Sequence, residues 1–231
     1  MATLIRIHPE NPQARLVNQV EERLRAGEVI VYPTDSCYAL GCHIGDKDAL
    51  ERIRRIRGAD KHHHFTLVCR DLTEIARYAK VDTWQFRLLK SCTPGPYTFL
   101  LEATREVPRR LQHEKRRTIG IRVPDHEVPR MLLAELGEPI MSSTLLLPGD
   151  GLALNDADDI EQRLRLRLID RGPARQIAVA EGHEKTPERA EAALRPAFAD
   201  RRAILLRQQQ EEIVLHLLTQ EIEEQIGRAH V

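Results

Sequence analysis

Apolar positions along the chain recur with two periods. Ala14, Leu16, Val17, Val20 and Leu24 return at helical spacing until Gly27, after Asn11 and Pro12, a polar cap followed by proline in the first turn. This pattern predicts a helix over 12–26. Val29, Ile30 and Val31 then form a short β-branched run closed by Pro33, as expected of a buried strand that empties into the loop PTDSCYALGC. Asp46 caps a second helix, with Leu50, Ile53 and Ile56 turned inward and Arg52, Arg54, Arg55 and Arg57 spread over the remaining surface. Further strands are predicted at 65–69, 97–103, 118–123 and 139–145, with helices near 71–79, 83–91 and 127–136 between them. Alternating strands and helices imply a layered α/β fold. The stretch REVPRRLQHEKRR has no long apolar stripe and reads as a short helix with an exposed loop.

The character changes after about residue 165, where Arg, Glu and Gln dominate. We read residues 5–170 as one α/β domain and 171–231 as a divergent tail, frameshifted or poorly ordered. Within that tail Thr186 and Pro187 suggest a helix start, and Ile213, Leu217, Leu218, Ile222 and Ile226 have the spacing of an amphipathic helix. The 35 basic residues balance the 35 acidic ones, so only local clusters can attract nucleic acid. No apolar run approaches the length of a membrane span, which points to a soluble, cytoplasmic protein. Cys37, Cys42, Cys69 and Cys92 contain no CxxC pair and read as reduced core residues. Three consecutive histidines, His62 to His64, do not by themselves converge on one ion, and no metal site is assigned.

The chain has no GxSxG, Walker loop, HExxH or GxGxxG. What remains is a set of hydroxyls and cations near strand ends. Thr34, Ser36, Thr66, Thr118, Ser142, Ser143 and Thr144 sit on or just past predicted strands, and Arg55, Arg57, Lys61 and Arg122 on elements leading into or out of them. Hydroxyl donors with guanidinium forks suit a multiply charged oxyanion such as a triphosphate, and ligands of open α/β sheets gather at strand ends. Arg122 points opposite to Ile121 and Val123 in its strand, so it must reach a cleft or water.

EVIVYPTDSCYALG, TPGPYTFLL, TIGIRVPDH and GEPIMSST occur in order and resemble the motifs of the YrdC/YciO family, with KHHHFTLVCRDL and LQHEKRRTIGIRVPD similar to its YciO branch. The resemblance implies a YrdC-like, DHBP synthase-like α/β domain with a twisted mixed sheet flanked by helices. It also implies a nucleotidyltransferase that condenses L-threonine, bicarbonate and ATP to threonylcarbamoyl-AMP and pyrophosphate for tRNA modification, with Mg2+ bridging the phosphates. By the same resemblance Thr34, Cys69, Arg122 and Ser142 would hold threonine. Arg57, His64, Thr118 and Thr144 would hold ATP. Arg55 and Arg57 would be catalytic, Arg55 standing where the family has lysine. Cys69 replaces a histidine, and Ser142-Ser143-Thr144 replaces serine-alanine-asparagine. A second class of function is also open. Arg52, Lys61, Arg109, Arg110, Lys115, Arg116 and Arg117 could contact the phosphates of tRNA or another double-stranded RNA, and the scarcity of aromatics, 4%, disfavours single-strand stacking.

Overall fold

The computed structural model describes residues 3–60, 63–151 and 153–169, together with the strands 177–180, 204–208 and 212–216. Strands β1 (Thr3–Ile5), β2 (Val29–Pro33), β3 (Tyr38–His43), β4 (Thr66–Val68), β5 (Ala79–Lys80), β6 (Tyr97–Ala103), β7 (Thr118–Arg122), β8 (Ile140–Thr144), β9 (Ile177–Ala180), β10 (Ile204–Gln208) and β11 (Glu212–His216) form one mixed sheet. Its order is β1-β9-β2-β3-β8-β4-β7-β6-β11-β10, with β5 paired to β6. Helices α1 (Ala14–Arg25), α2 (Lys47–Arg57), α3 (Leu72–Tyr78), α4 (Thr83–Cys92), α5 (Glu127–Leu136) and α6 (Ala157–Ile169) connect the strands. The expected α/β class with a twisted mixed sheet flanked by helices is what forms.

Local chemistry sets most boundaries. Asp46 accepts from Ala49 N at 2.8 Å to start α2, and Gly58 ends it with φ 64°. Asp82 and Gln85 form a reciprocal capping box on α4. Helix α1 starts at Ala14, not at 12, because the chain before it is held by other bonds. His8 Nδ1 accepts from Asn11 N at 3.1 Å, and Gln13 Oε1 accepts from His8 N at 3.2 Å.

The loop read between Pro33 and Asp46 contains a strand. After a turn at 34–37 the chain returns as β3, antiparallel to β2 and β8. Its small side chains hide the pattern, but Gly41 is needed for packing: a Cβ there would lie 2.9 Å from Tyr32 and Ile140 side-chain atoms. In the tail, Ile177–Ala180 enters the sheet between β1 and β2, beyond residue 170. Ile213 lies in a strand, not a helix, because the run Ile213-Val214-Leu215 pairs with the edge of β6, and edge pairing overrides helical spacing. Leu217, Leu218, Ile222, Ile226, Thr186 and Pro187 lie outside the described residues.

Side chains alternate across the sheet, so register assigns each to a face. Leu40, Cys42, Leu67, Phe99, Ile119, Ile121 and Met141 join Leu50, Ile53, Ile75 and Leu89 of α2, α3 and α4 in one core. Ile30, Tyr32, Ala39, Val68 and Ile140, on the other face, pack under Val17, Val20 and Leu24 of α1 and Leu132, Leu133 and Leu136 of α5. That second face continues past the helices as Ser142, Thr66, Gly120 and Leu100, matched by the pairs Thr66↔Ser142, Thr66↔Gly120 and Leu100↔Gly120. Here it becomes polar.

Candidate functional site

A cavity of about 930 Å³ opens over this polar half of the sheet. Its floor is Thr66, Thr98, Leu100, Thr118, Ile119 and Gly120, from β4, β6 and β7. The segment after α2 supplies Arg57, Asp60, His63, His64 and Phe65, the β6–β7 loop supplies Leu111, His113 and Arg116, and the segment after β8 supplies Leu146 to Asp150. Hydroxyls thus cover part of the floor while guanidinium and imidazole groups stand on the walls.

Arg57 is fixed by the strand beneath it. Its guanidinium donates to Ser143 Oγ, and His63 Nε2 lies 2.8 Å from the same oxygen and 3.3 Å from Arg57. A guanidinium can only donate, so Ser143 accepts from Arg57 and can pass its own proton toward His63 Nε2. Burial and the Arg57 charge pull His63 down to about 4, which leaves the ring neutral at pH 7. His63 also meets Phe65 edge-on, with centroids 5.0 Å apart. At the cavity wall His64 and His113 stack at 5.1 Å and 21°.

A second polar cluster lies on the face that carries Ser142, Thr66 and Gly120, whereas Ser143, the next residue of β8, turns to the other face. Arg122, 5% exposed, donates to Asp35 Oδ1 at 2.6 Å and to Ser36 Oγ at 2.8 Å. Thr34 Oγ1 closes the turn that carries them, donating to Cys37 O at 2.7 Å and accepting from Cys37 N and Ser36 N at 3.2 Å. Tyr32 donates its hydroxyl to Ser142 Oγ at 2.7 Å, and burial pushes that phenol further up. Asp35 Oδ2 is buried with no hydrogen-bond partner among the described residues.

The structure therefore divides the expected site residues. Arg57, His64, Thr118 and Arg116 share the cavity. Thr34 and Arg122 share the second cluster, and Ser142 joins the same face through Tyr32. Arg122, whose strand position was expected to send it to a cleft or to water, is buried and pairs with the carboxylate of Asp35. Thr144 is half-buried at the end of β8, outside the cavity lining.

Cys69 is not brought to Arg122. Only its backbone N reaches Arg122 O, at 2.8 Å, while the side chain lies in the core under α2 to α4, where burial raises the thiol. Arg55 is exposed on α2 and does not line the cavity. Of the basic set, Arg52 is committed to Gly27 O at 3.1 Å, Arg110 to Gly45 O at 2.8 Å, and Lys61 lies outside the described residues. Arg109, Arg110, Lys115, Arg116 and Arg117 are exposed together in the loop between β6 and β7.

Asp35, Thr98 and His113 were not singled out from the sequence, and His63 was weighed only within the histidine run to which no metal was assigned. Thr98 could have been: in YTFLLEA the positions 98 and 102 carry the polar residues of one strand face. All four cysteines are buried and unpaired with one another. No three His, Cys, Asp or Glu side chains are grouped for a metal among the described residues, and no helix there is long and apolar enough to cross a membrane.

Fold and site together define an α/β protein with a hydroxyl-floored cleft on one sheet face, walled by two arginines, two aspartates and three histidines. The chain belongs to the Sua5/YciO/YrdC family, whose model, described as telomere recombination, matches residues 22–179 and so reaches into β9. The protein YciO of Escherichia coli K12 is 56% identical over 168 residues, 73% of this chain and 82% of that protein. A threonylcarbamoyl-AMP synthase of Chromobacterium violaceum is 36% identical over 139 residues, 59% of this chain and 70% of its own length. The crystal structure of E. coli YciO superposes with TM-score 0.73 at 50% identity, covering 80% of this chain and 86% of that one. Sua5 of P. abyssi complexed with L-threonine shares the fold at TM-score 0.68 and 21% identity, covering 80% of this chain and 51% of that one.

Proposed function

We propose that the chain is a nucleotidyltransferase of the threonylcarbamoyl-AMP synthase type, joining L-threonine, bicarbonate and ATP with release of pyrophosphate. The observation that carries this reading is the adjacency of two unlike polar sites on one half of a sheet face. One is a roomy cavity walled by Arg57 and Arg116, and the other is a tight cluster around Arg122. A triphosphate suits the first, because a fixed guanidinium gives charge-assisted bonds to phosphate oxygens. An amino-acid carboxylate suits the second, with Arg122 oriented by Asp35 and Ser36. The carbamate of threonine would attack the α-phosphorus and pyrophosphate would leave, so the protein supplies positioning and charge stabilisation, without a covalent nucleophile. Mg2+ would arrive with ATP, held chiefly by phosphate oxygens, with Asp60 as a carboxylate in the lining that suits it.

The test is pyrophosphate release by the full chain. Release should require threonine, bicarbonate and Mg2+ together, and release that ignores threonine would remove the named substrate. The relative named as a threonylcarbamoyl-AMP synthase and the Sua5 solved with L-threonine support this reading. A second reading, double-stranded RNA or tRNA binding, draws on the exposed basic residues of the β6–β7 loop. It would show as binding that falls steeply with salt and is indifferent to ATP.

A further inference from the structure

Ser143 is a polar residue on an apolar surface. It lies opposite Leu40 in the β3–β8 ladder, on the face that carries Met141 and the larger core, and it is 7% exposed. A hydroxyl buried there requires partners, and Arg57 and His63 supply them. The chain folds back to bring these two residues together. Gly58 ends α2 in the left-handed region, Ala59 N donates to Arg54 O at 2.9 Å, and His63 N donates to Asp60 O at 3.3 Å. Phe65, 3% exposed, meets the His63 ring edge-on and lies under the Arg54 guanidinium at 5.5 Å, which fixes the ring from below. Proton count then sets the direction of each bond. Arg57 can only donate, so Ser143 Oγ accepts from it. Arg57 Nη1 also lies 3.3 Å from His63 Nε2, where a protonated ring nitrogen would oppose it, so Nε2 is unprotonated and accepts the Ser143 proton at 2.8 Å.

We propose that His63, acting through Ser143, is a positioning residue that holds the Arg57 guanidinium in the orientation in which it meets a phosphate group in the cavity. This rests on the reading of the cavity as a triphosphate site and adds the residue that aims its cation. By taking the Ser143 proton, His63 turns the serine lone pairs toward Arg57. The guanidinium is planar, so a bond that holds one of its nitrogens restrains the whole fork. An arginine left loose would have to be ordered each time a ligand bound, and its alignment with the phosphate would be poorer. His63 and Ser143 complete that ordering before the ligand arrives.

The experiment measures ATP affinity of the full chain by calorimetry, with Mg2+ present, for wild type, His63→Phe, His63→Gln and Ser143→Ala. Phenylalanine keeps a ring against Phe65 and removes the acceptor, and glutamine returns an acceptor at a similar reach. His63→Phe and Ser143→Ala should each weaken ATP binding about three-fold to ten-fold, because Arg57 remains and loses only its alignment. The double variant should bind no more weakly than the weaker single one, since both interrupt the same path. His63→Gln should recover most of the affinity. In an Arg57→Ala background His63→Phe should change nothing, a result that a purely structural role for the ring would not give. Should His63→Phe fail to fold, Ser143→Ala with and without Arg57 decides the question. Additive losses, no recovery by glutamine, unchanged affinity in either single variant, or a wild type that binds no ATP would overturn the proposal. In pyrophosphate release KM for ATP should follow the same order, with KM for threonine within about two-fold of wild type. If ATP binding shows this pattern while no pyrophosphate is released, the reaction assignment fails and the role of His63 stands.

Discussion

One sheet face is built in two halves, and they obey different rules. Under α1 and α5 the face is Ile30, Ala39, Val68 and Ile140, closed by Val17, Leu24, Leu132 and Leu133. Further along β4 and β8, and across onto β6 and β7, it turns to Thr66, Ser142, Thr98 and Thr118, with a cavity above the three threonines. The first half is made of side chains whose removal from water stabilises the fold at about 25 cal/mol per Å². The second half gains less that way and leaves the buried Thr98 hydroxyl without a partner among the described residues. Changes in the covered half should therefore read out in stability, and changes in the open half in binding.

The sharpest place to break this contrast is the seam between the halves, where Arg122 and Asp35 are both buried. Asp35→Ala leaves a buried guanidinium without its counter-charge and should destabilise by about 3–5 kcal/mol, measured by urea denaturation. A loss below about 1 kcal/mol would place the cluster in the solvent-like open half. Next in size is the covered half itself. Leu132, 1% exposed, packs α5 onto the sheet, and Leu132→Ala should cost about 2–5 kcal/mol by the same measurement. Nucleotide affinity of that variant should not change beyond what unfolding explains.

Arg57 should behave in the opposite way. Half-buried and aimed into the cavity, it is the cation best placed for phosphate, so Arg57→Ala should weaken ATP binding about ten-fold to a hundred-fold by calorimetry. Its stability loss should be smaller, because Ser143 and His63 can still bond each other. Unchanged ATP affinity would move the nucleotide out of this cavity.

His63 adds a pH dependence. Its folded pKa is lowered to about 4 by burial first and the Arg57 charge second, whereas the unfolded value is near 6.5. The unfolded state therefore binds more protons between these values. Stability is fully present above pH 6.5 and declines as pH falls toward 4. His63→Gln should lose this component, so the ratio of wild-type to variant stability should drop between pH 7 and 5. Parallel curves would show that the ring is not desolvated.

Much of this division could be read from the chain, and the failures have physical causes. The strand over 97–103 and the helix over 127–136 form where periodicity put them, because the strand alternates between faces and the helix buries Val128, Leu132, Leu133 and Leu136 at helical spacing between His126 and Gly137. Strand β3 was hidden because Ala39, Gly41 and Cys42 are small for a packing reason that depends on Tyr32 and Ile140, residues distant in sequence. At the site, residue types were legible but sidedness was not. Arg122 was correctly turned away from Ile121, yet its partner Asp35 comes from a turn 87 positions earlier. Cys69 follows β4 and ends in the opposite core, which spacing along the chain does not reveal.

The smallest expected effect is the most direct test of the open half. Thr118 is half-buried, lines the cavity and pairs with Glu102 at the end of β7. Replacing it by valine keeps the β-branched shape that the strand favours, so stability should stay within about 0.5 kcal/mol. If the hydroxyl faces a phosphate, ATP affinity should still fall about three-fold to ten-fold, the range of a single hydrogen bond to a charged group. The same substitution at a buried polar position of the covered half would show the reverse ratio, because there the partner is protein. A Thr118→Val variant that lost stability and kept its ATP affinity would place this strand end in the scaffold, and the boundary between the halves would shift toward β6.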